Sequence, residues 1–191
     1  MKYTIYLFRH GQTFYNKSER FTGDIDSHLT KQGKKDAKKV ALKLKKVQID
    51  YAFQTHLSRS KDTLRYVLRY HSECKQIITD DRMIERDYGN LKGRFHHTVI
   101  KDYGQKQYDL WHRSYDIKPP GGESVKDVEK RVEAFIKELL KFMKEHKGNV
   151  AISAHGNSMR PFRRHFEKLS KEKMMKLENP LDDYFVYTVE L

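Results

Sequence analysis

Two histidines in this chain stand at the ends of apolar runs, and each is followed by a glycine. The first run, Tyr3 to Phe8, ends in Arg9-His10-Gly11, and the second, Val150 to Ala154, ends in His155-Gly156-Asn157. A neutral imidazole nitrogen can attack phosphorus, a neighbouring guanidinium can hold phosphate oxygens bidentately, and a glycine lets the backbone approach an anion closely. Either triplet alone reads as a histidine at a strand end. Together they point to one site, because ligands in an open α/β sheet sit beyond the carboxyl ends of the strands, where distant parts of the chain converge.

The elements that must position these residues alternate along the chain. A strand over 3–9, a helix over 30–47, a short strand at Tyr51-Ala52-Phe53, a helix over 59–71 and a strand at Gln76-Ile77-Ile78 follow in order. Ser124 to Asp127 is a capping pattern, and it opens a helix whose apolar stripe, Val128, Val132, Phe135, Ile136, Leu139 and Met143, runs to about Lys147-Gly148. The strand at 150–154, a helix near 158–168 and an edge strand over 184–189 close the chain. This alternation predicts an α/β fold. Residues 84–124, rich in Gly, Tyr, His and Arg, show little periodicity apart from a short helix around 96–111, and they are expected to fold over the site. No linker-like stretch divides the 191 residues, so 1–191 is expected to form one domain.

Composition narrows the partners. The formal charge of +13 attracts anions in general. Much of it lies in Lys31 to Lys46, where Ala37, Val40, Ala41 and Leu44 fall on one helical face and lysines fill the other, the pattern of a solvated surface. With no zinc-finger spacing, RNP-like aromatic run or basic zipper, nucleic acid is not an expected partner. No apolar stretch is long enough for a membrane span, and the chain opens on a strand pattern without a leader, so the expectation is a cytoplasmic protein that needs no membrane. Cys74 is the only cysteine, which excludes an intrachain disulfide and a thiolate metal cluster. No paired acidic ligands stand at a convincing metal spacing, so no metal is expected.

A longer ordered series extends the two histidine triplets. Arg9-His10-Gly11 is followed by Asn16, by Arg20-Phe21-Thr22-Gly23-Asp24, and by Leu57-Ser58-Arg59-Ser60. Glu85-Arg86-Asp87-Tyr88-Gly89, Trp111-His112-Arg113-Ser114-Tyr115-Asp116, Pro119 to Ser124 and Ala154-His155-Gly156-Asn157-Ser158 complete it. From Phe8 to about Arg160 this series resembles the histidine phosphatase superfamily, and within it the cofactor-dependent phosphoglycerate mutases. The blocks at Glu85 and Trp111 are the discriminating part.

The resemblance implies a three-layer α/β/α fold with a mostly parallel central sheet, and it assigns roles to particular residues. His10 becomes the nucleophile that holds a phosphoryl group, with Arg9, Arg59 and His155 around it and Glu85 as general acid and base. Asn16, Thr22, Gly23, Gly156 and Asn157 would bind the phosphorylated substrate, and Arg86, Tyr88 and Arg113 would reach its carboxylate and second phosphate. Here the chain departs from the mutases. His96 stands where they usually carry a lysine, His112 where they carry the first of two arginines, and Gln12-Thr13 where Glu-Ser is common. His96 and His112 still count as substrate-binding positions, with groups only partly charged at neutral pH.

The implied activity is interconversion of 3-phosphoglycerate and 2-phosphoglycerate, primed by 2,3-bisphosphoglycerate and independent of metal. The implied partner is a small phosphorylated metabolite, and the edge strand is compatible with a homodimer. Two alternatives stay open: a phosphatase on the same scaffold, in which water takes the phosphoryl group from His10, and a non-catalytic basic module that binds polyanions.

Overall fold

Side-chain alternation along the first strand decides the layering. In the computed structural model, which describes residues 1–191, β1 (Lys2–Arg9) sends Ile5 and Leu7 into one apolar cluster and Tyr6 and Phe8 into another. The same division recurs in β2 (Tyr51–Gln54), where Tyr51 and Phe53 oppose Ala52, and in β4 (Val150–Ala154), where Val150 and Ile152 oppose Ala151. A strand buried on both faces needs cover on both, so helices lie on each side. On one side α2 (Lys31–Leu44) brings Val40, Ala41 and Leu44, and α3 (Ser58–Leu68) brings Leu64 and Val67. On the other, α6 (Val125–His146) contributes its whole apolar stripe and α7 (Gly156–Glu167) contributes Met159 and Phe162. The result is a three-layer α/β/α molecule.

With β3 (Gln76–Thr79) and β5 (Tyr184–Glu190), the strands lie in the order β3-β2-β4-β1-β5, parallel except for β5, which runs antiparallel to β1 at the edge. One register matters most for function. Arg9 of β1 is opposite Ala154 of β4, so the chain leaves both central strands at the same level, and the His10 amide donates to the Ala154 carbonyl at 3.1 Å.

Local signals explain most element boundaries. Ser124 Oγ accepts from the Asp127 amide at 3.1 Å while Asp127 Oδ2 accepts from the Ser124 amide at 2.9 Å, the reciprocal cap expected for α6. The helix expected around 96–111 is two helices, α4 (His96–Tyr103) and α5 (Gln105–Arg113), separated at Gly104 with φ +82°. A residue with a side chain rarely adopts that conformation, so the glycine breaks the helix. Two short helices lacked a periodic signal: α1 (Phe14–Lys17), capped by Thr13, and α8 (Lys171–Met175), capped by Ser170. The lysines of α2 face solvent as expected, and Lys39 and Lys43 pair with Asp182 and Asp183 before β5. No helix is long and apolar enough to cross a membrane.

Candidate active site

His10 and His155 step off neighbouring strands, which lie roughly 5 Å apart in any sheet, and their ring centroids are 4.9 Å apart. His10 is 2 % exposed. Its Nδ1 lies 2.8 Å from the Gly11 carbonyl, which can only accept, so Nδ1 carries the proton and Nε2 keeps its lone pair. Burial, with the guanidiniums of Arg59 and Arg9 alongside, holds the His10 imidazole well below the ordinary histidine range. The ring is therefore neutral and its Nε2 carries the unshared lone pair. Gly11 serves differently from the expectation: a Cβ there would stand 2.2 Å from the Gly33 carbonyl oxygen, so the glycine lets the loop after β1 pack on the first turn of α2.

Arg59 and His155 hold each other in place. Arg59 donates from Nε to His155 Nδ1 at 3.3 Å, which makes Nδ1 the acceptor and leaves the proton on Nε2, 2.9 Å from Thr55 Oγ1. The other end of Arg59 donates to the carbonyls of Ile25 at 2.8 Å and Gly23 at 2.6 Å, and Gly23 reaches that position with φ +55°. Burial first, then Arg59, His10 and Arg9, keep His155 neutral as well. Arg59 thus lies beside His155 with its donors engaged, outside the cavity wall.

Glu85 completes the group. It is 8 % exposed, and its Oε1 accepts the backbone amides of Arg86 at 2.8 Å and Asn157 at 3.0 Å. Ligating atoms of His10, Glu85 and His155 all lie within 4.8 Å of one another. That spacing would suit a metal ion, yet the guanidiniums of Arg9 and Arg59 beside it make an environment for an anion. Arg9 Nε is buried without a protein partner, while its Nη1 donates to the Asn179 carbonyl at 3.3 Å. A buried cationic donor without a protein partner is chemically suited to an anionic oxygen.

Above these groups opens a cavity of about 370 Å³ whose wall includes Arg9, Asn16, Thr22, Gly23, Glu85, Tyr88, His96, His112, Gly156 and Asn157. These ten expected residues are brought together. Two are not. Arg86 is 0 % exposed and spends its guanidinium on the carbonyls of Glu123 at 2.7 Å and Trp111 at 2.9 Å, so it braces the 84–124 segment and cannot reach a substrate carboxylate. Arg113, at the end of α5, is exposed and borders a separate depression with Gln105 and Asp109 instead of the cavity wall, although its charge acts on His112 and Arg160.

The two histidines at the departing positions have a specific setting. His96 stacks on Phe21 with ring centroids 4.2 Å apart, and its Nδ1 is 2.7 Å from Tyr108 Oη. His112 meets the same Phe21 edge-on at 5.5 Å. Burial pushes His96 down, and burial together with Arg113 pushes His112 down to about 3. The expectation of partly charged groups is corrected here: the aromatic packing makes His112 a neutral wall residue at neutral pH.

Several wall residues escaped the sequence reading. Arg20, Phe21, Arg160, Leu177, Glu178 and Asn179 all border the cavity. Arg160 had a usable signal, since it lies four residues after Gly156, one turn along α7 on the same face. The 177–179 segment had none, because only the antiparallel return of β5 brings it back over Arg9.

Comparisons with known proteins agree with this geometry. Residues 5–190 match the histidine phosphatase superfamily (branch 1). A 2,3-bisphosphoglycerate-dependent phosphoglycerate mutase of Parvibaculum lavamentivorans is 39 % identical over 189 residues, covering 96 % of this chain and 89 % of that one. A protein of the same name from Chlamydia caviae is 34 % identical, with 95 % and 91 % covered. Among solved structures, mycobacterial hydrolase 1 superposes with a TM-score of 0.86 at 25 % identity, covering 98 % of this chain and 92 % of that one. A putative alpha-ribazole-5'-P phosphatase of Escherichia coli gives 0.82 at 23 %, with 96 % and 89 % covered, a likeness of fold. With two strand-end imidazoles gathered beside a buried carboxylate, and with this match along nearly its whole length, the chain belongs to the histidine phosphatase superfamily.

Proposed function

We propose that this protein is a 2,3-bisphosphoglycerate-dependent phosphoglycerate mutase that interconverts 3-phosphoglycerate and 2-phosphoglycerate through phospho-His10. The observation that carries the reading is the neutral His10 ring, with Nε2 unprotonated, beside Glu85 and His155. Curated relatives bearing the mutase name at 34 % and 39 % identity support the substrate. The 84–124 segment supplies Glu85, Tyr88, His96 and His112 to the wall, which supports a role as a cover within a single 1–191 unit.

His10 Nε2 attacks the phosphorus of a bound phosphate ester, and the ester oxygen leaves with a proton from Glu85. Oε1 of Glu85 is occupied by two amides, so Oε2 is the atom that exchanges the proton. In the return step the same oxygen takes the proton of the hydroxyl that attacks phospho-His10. Arg9 and the positive field of Arg59 stabilise charge on the equatorial oxygens in transit, and no step requires a metal. The wall fits a bisphosphorylated primer, since Arg9 Nε lacks a partner and Asn16, Thr22, Gly23 and Asn157 border the same space. When bound, 2,3-bisphosphoglycerate supplies the phosphoryl group that primes His10.

A phosphatase reading has its own support: the neutral His96 and His112 weaken retention of a second phosphate. Incubation with 3-phosphoglycerate, with and without 2,3-bisphosphoglycerate, separates the two. Formation of 2-phosphoglycerate without free phosphate supports the mutase; free phosphate without isomer supports the phosphatase. Absence of product from these and other small phosphate esters, with no phosphoryl transfer to His10, would favour the non-catalytic polyanion-binding module.

A further inference from the structure

Arg65, Arg82, Arg94, Arg131, Arg163 and Arg164 form ion pairs with carboxylates. Arg160 does not. Its Nε donates to the Leu177 carbonyl at 3.1 Å and its Nη1 to Asn157 Oδ1 at 3.2 Å, which fixes the guanidinium in the cavity wall and leaves Nη2 without a protein partner. Asn157 is itself tied through Nδ2 to Tyr88 Oη at 3.2 Å, so the fork is held by a chain of hydrogen bonds. Burial lowers the Arg160 pKa, with Tyr88 and Glu85 acting in the opposite direction, so the cation lies within electrostatic reach of the reacting groups.

The other candidate cations near this end of the cavity are differently engaged. His96 and His112 are packed on Phe21, Arg113 borders a separate depression and Arg86 is consumed by backbone carbonyls. Arg20 lies flat on Phe95, 3.8 Å from its ring centroid, with Nη1 on the Gly93 carbonyl at 3.1 Å. It borders the cavity and also a wider depression shared with Gln12, Glu19 and Tyr108. The carboxylates in the cavity wall do not cancel Arg160, since Glu85 is held by amides and Glu178 is exposed at the rim.

We propose that Arg160 is the specificity-determining residue for a second anionic group on the substrate, a carboxylate or second phosphate, in place of the cations missing from positions 96 and 112. The proposal rests on the reading of His10 as the phosphoryl acceptor. His155 immediately precedes α7 and Arg160 lies on that helix, so one rigid element fixes the spacing between phosphoryl site and distal anion. The separation from Gly156 to Arg160 is about one turn, roughly 5–6 Å along the axis, a length that suits two acidic groups on one short carbon skeleton.

The test compares kcat/KM for 3-phosphoglycerate with kcat/KM for glycerol 3-phosphate, a phosphate ester without the carboxylate, in the intact protein and in variants. Arg160→Gln should lower the ratio by about tenfold or more, the loss of one charge-assisted contact, and Arg160→Lys should fall between. Arg113→Gln and Arg65→Gln, both outside the wall, should move the ratio by less than about threefold. An unchanged ratio in Arg160→Gln, an equal fall for both esters, or an equal shift in Arg113→Gln, Arg65→Gln or the wall variant Arg20→Gln would overturn the assignment. Calorimetric titration of the two esters into wild type and Arg160→Lys gives the same comparison as a ratio of dissociation constants. If neither ester turns over, the reading of His10 fails, while the calorimetric ratio still decides Arg160.

Discussion

At His10 the decisive detail is a single hydrogen bond. By accepting from Nδ1, the Gly11 carbonyl places the lone pair on Nε2, and burial keeps the ring from protonating. Phosphorylation of His10 should therefore stay flat as pH falls through about 6.5, the ordinary histidine value; rapid-quench measurement of the phosphoenzyme across that range checks it, and a tenfold loss per unit below that value would contradict a depressed pKa. His10→Ala should reduce phosphoryl transfer by about 10³-fold or more. Glu85→Gln keeps an acceptor for the two amides while losing the exchangeable proton, so it should cost about 10²–10⁴ in turnover, read from steady-state kinetics with 3-phosphoglycerate.

Among the elements, α3 shows how a distant residue controls the site. Asp26 Oδ1 accepts from the Ser58 amide at 2.9 Å and from Ser58 Oγ at 2.8 Å, anchoring the first turn of the helix that carries Arg59. Removing that anchor with Asp26→Ala should cost about 1 kcal/mol of stability and also lower turnover, because Arg59 must stay beside His155. Denaturant unfolding and kinetics on the same variant give both readouts. The contact between Gly11 and Gly33 is stricter: Gly11→Ala puts a methyl 2.2 Å from a carbonyl oxygen, and overpacking of this kind costs about 1–3 kcal/mol, visible as a lowered melting temperature.

For the molecule as a whole, three histidines near one site, His10 and His155 buried and His112 half-buried, set the acid limit of stability. His10, His112 and His155 are neutral in the fold, whereas the unfolded chain takes up their protons below about 6.5. The unfolded state then binds more protons, so stability falls as pH drops, by about 1.4 kcal/mol per pH unit for each group. Thermal unfolding from about pH 7.5 to about pH 5 in phosphate-free buffer should show this decline. A flat midpoint would mean these rings are charged in the native state.

The sequence by itself determined the alternation of strands and helices and pointed to the chemistry. The apolar runs of β1 and β4 carry no polar face, as strands covered on both sides do, and the stripe of α6 marks the face it buries. The two strand-end triplets announced a phosphoryl site, and the register of β1 against β4 brings them together. Only the tertiary structure decided which cations face the cavity. Arg86 and Arg160 have the same chemistry and both follow a site residue, yet one is consumed by carbonyls of the 84–124 segment and the other keeps a free end in the wall. That difference comes from long-range backbone placement, as does the return of 177–179 over Arg9, and neither leaves a mark in local periodicity.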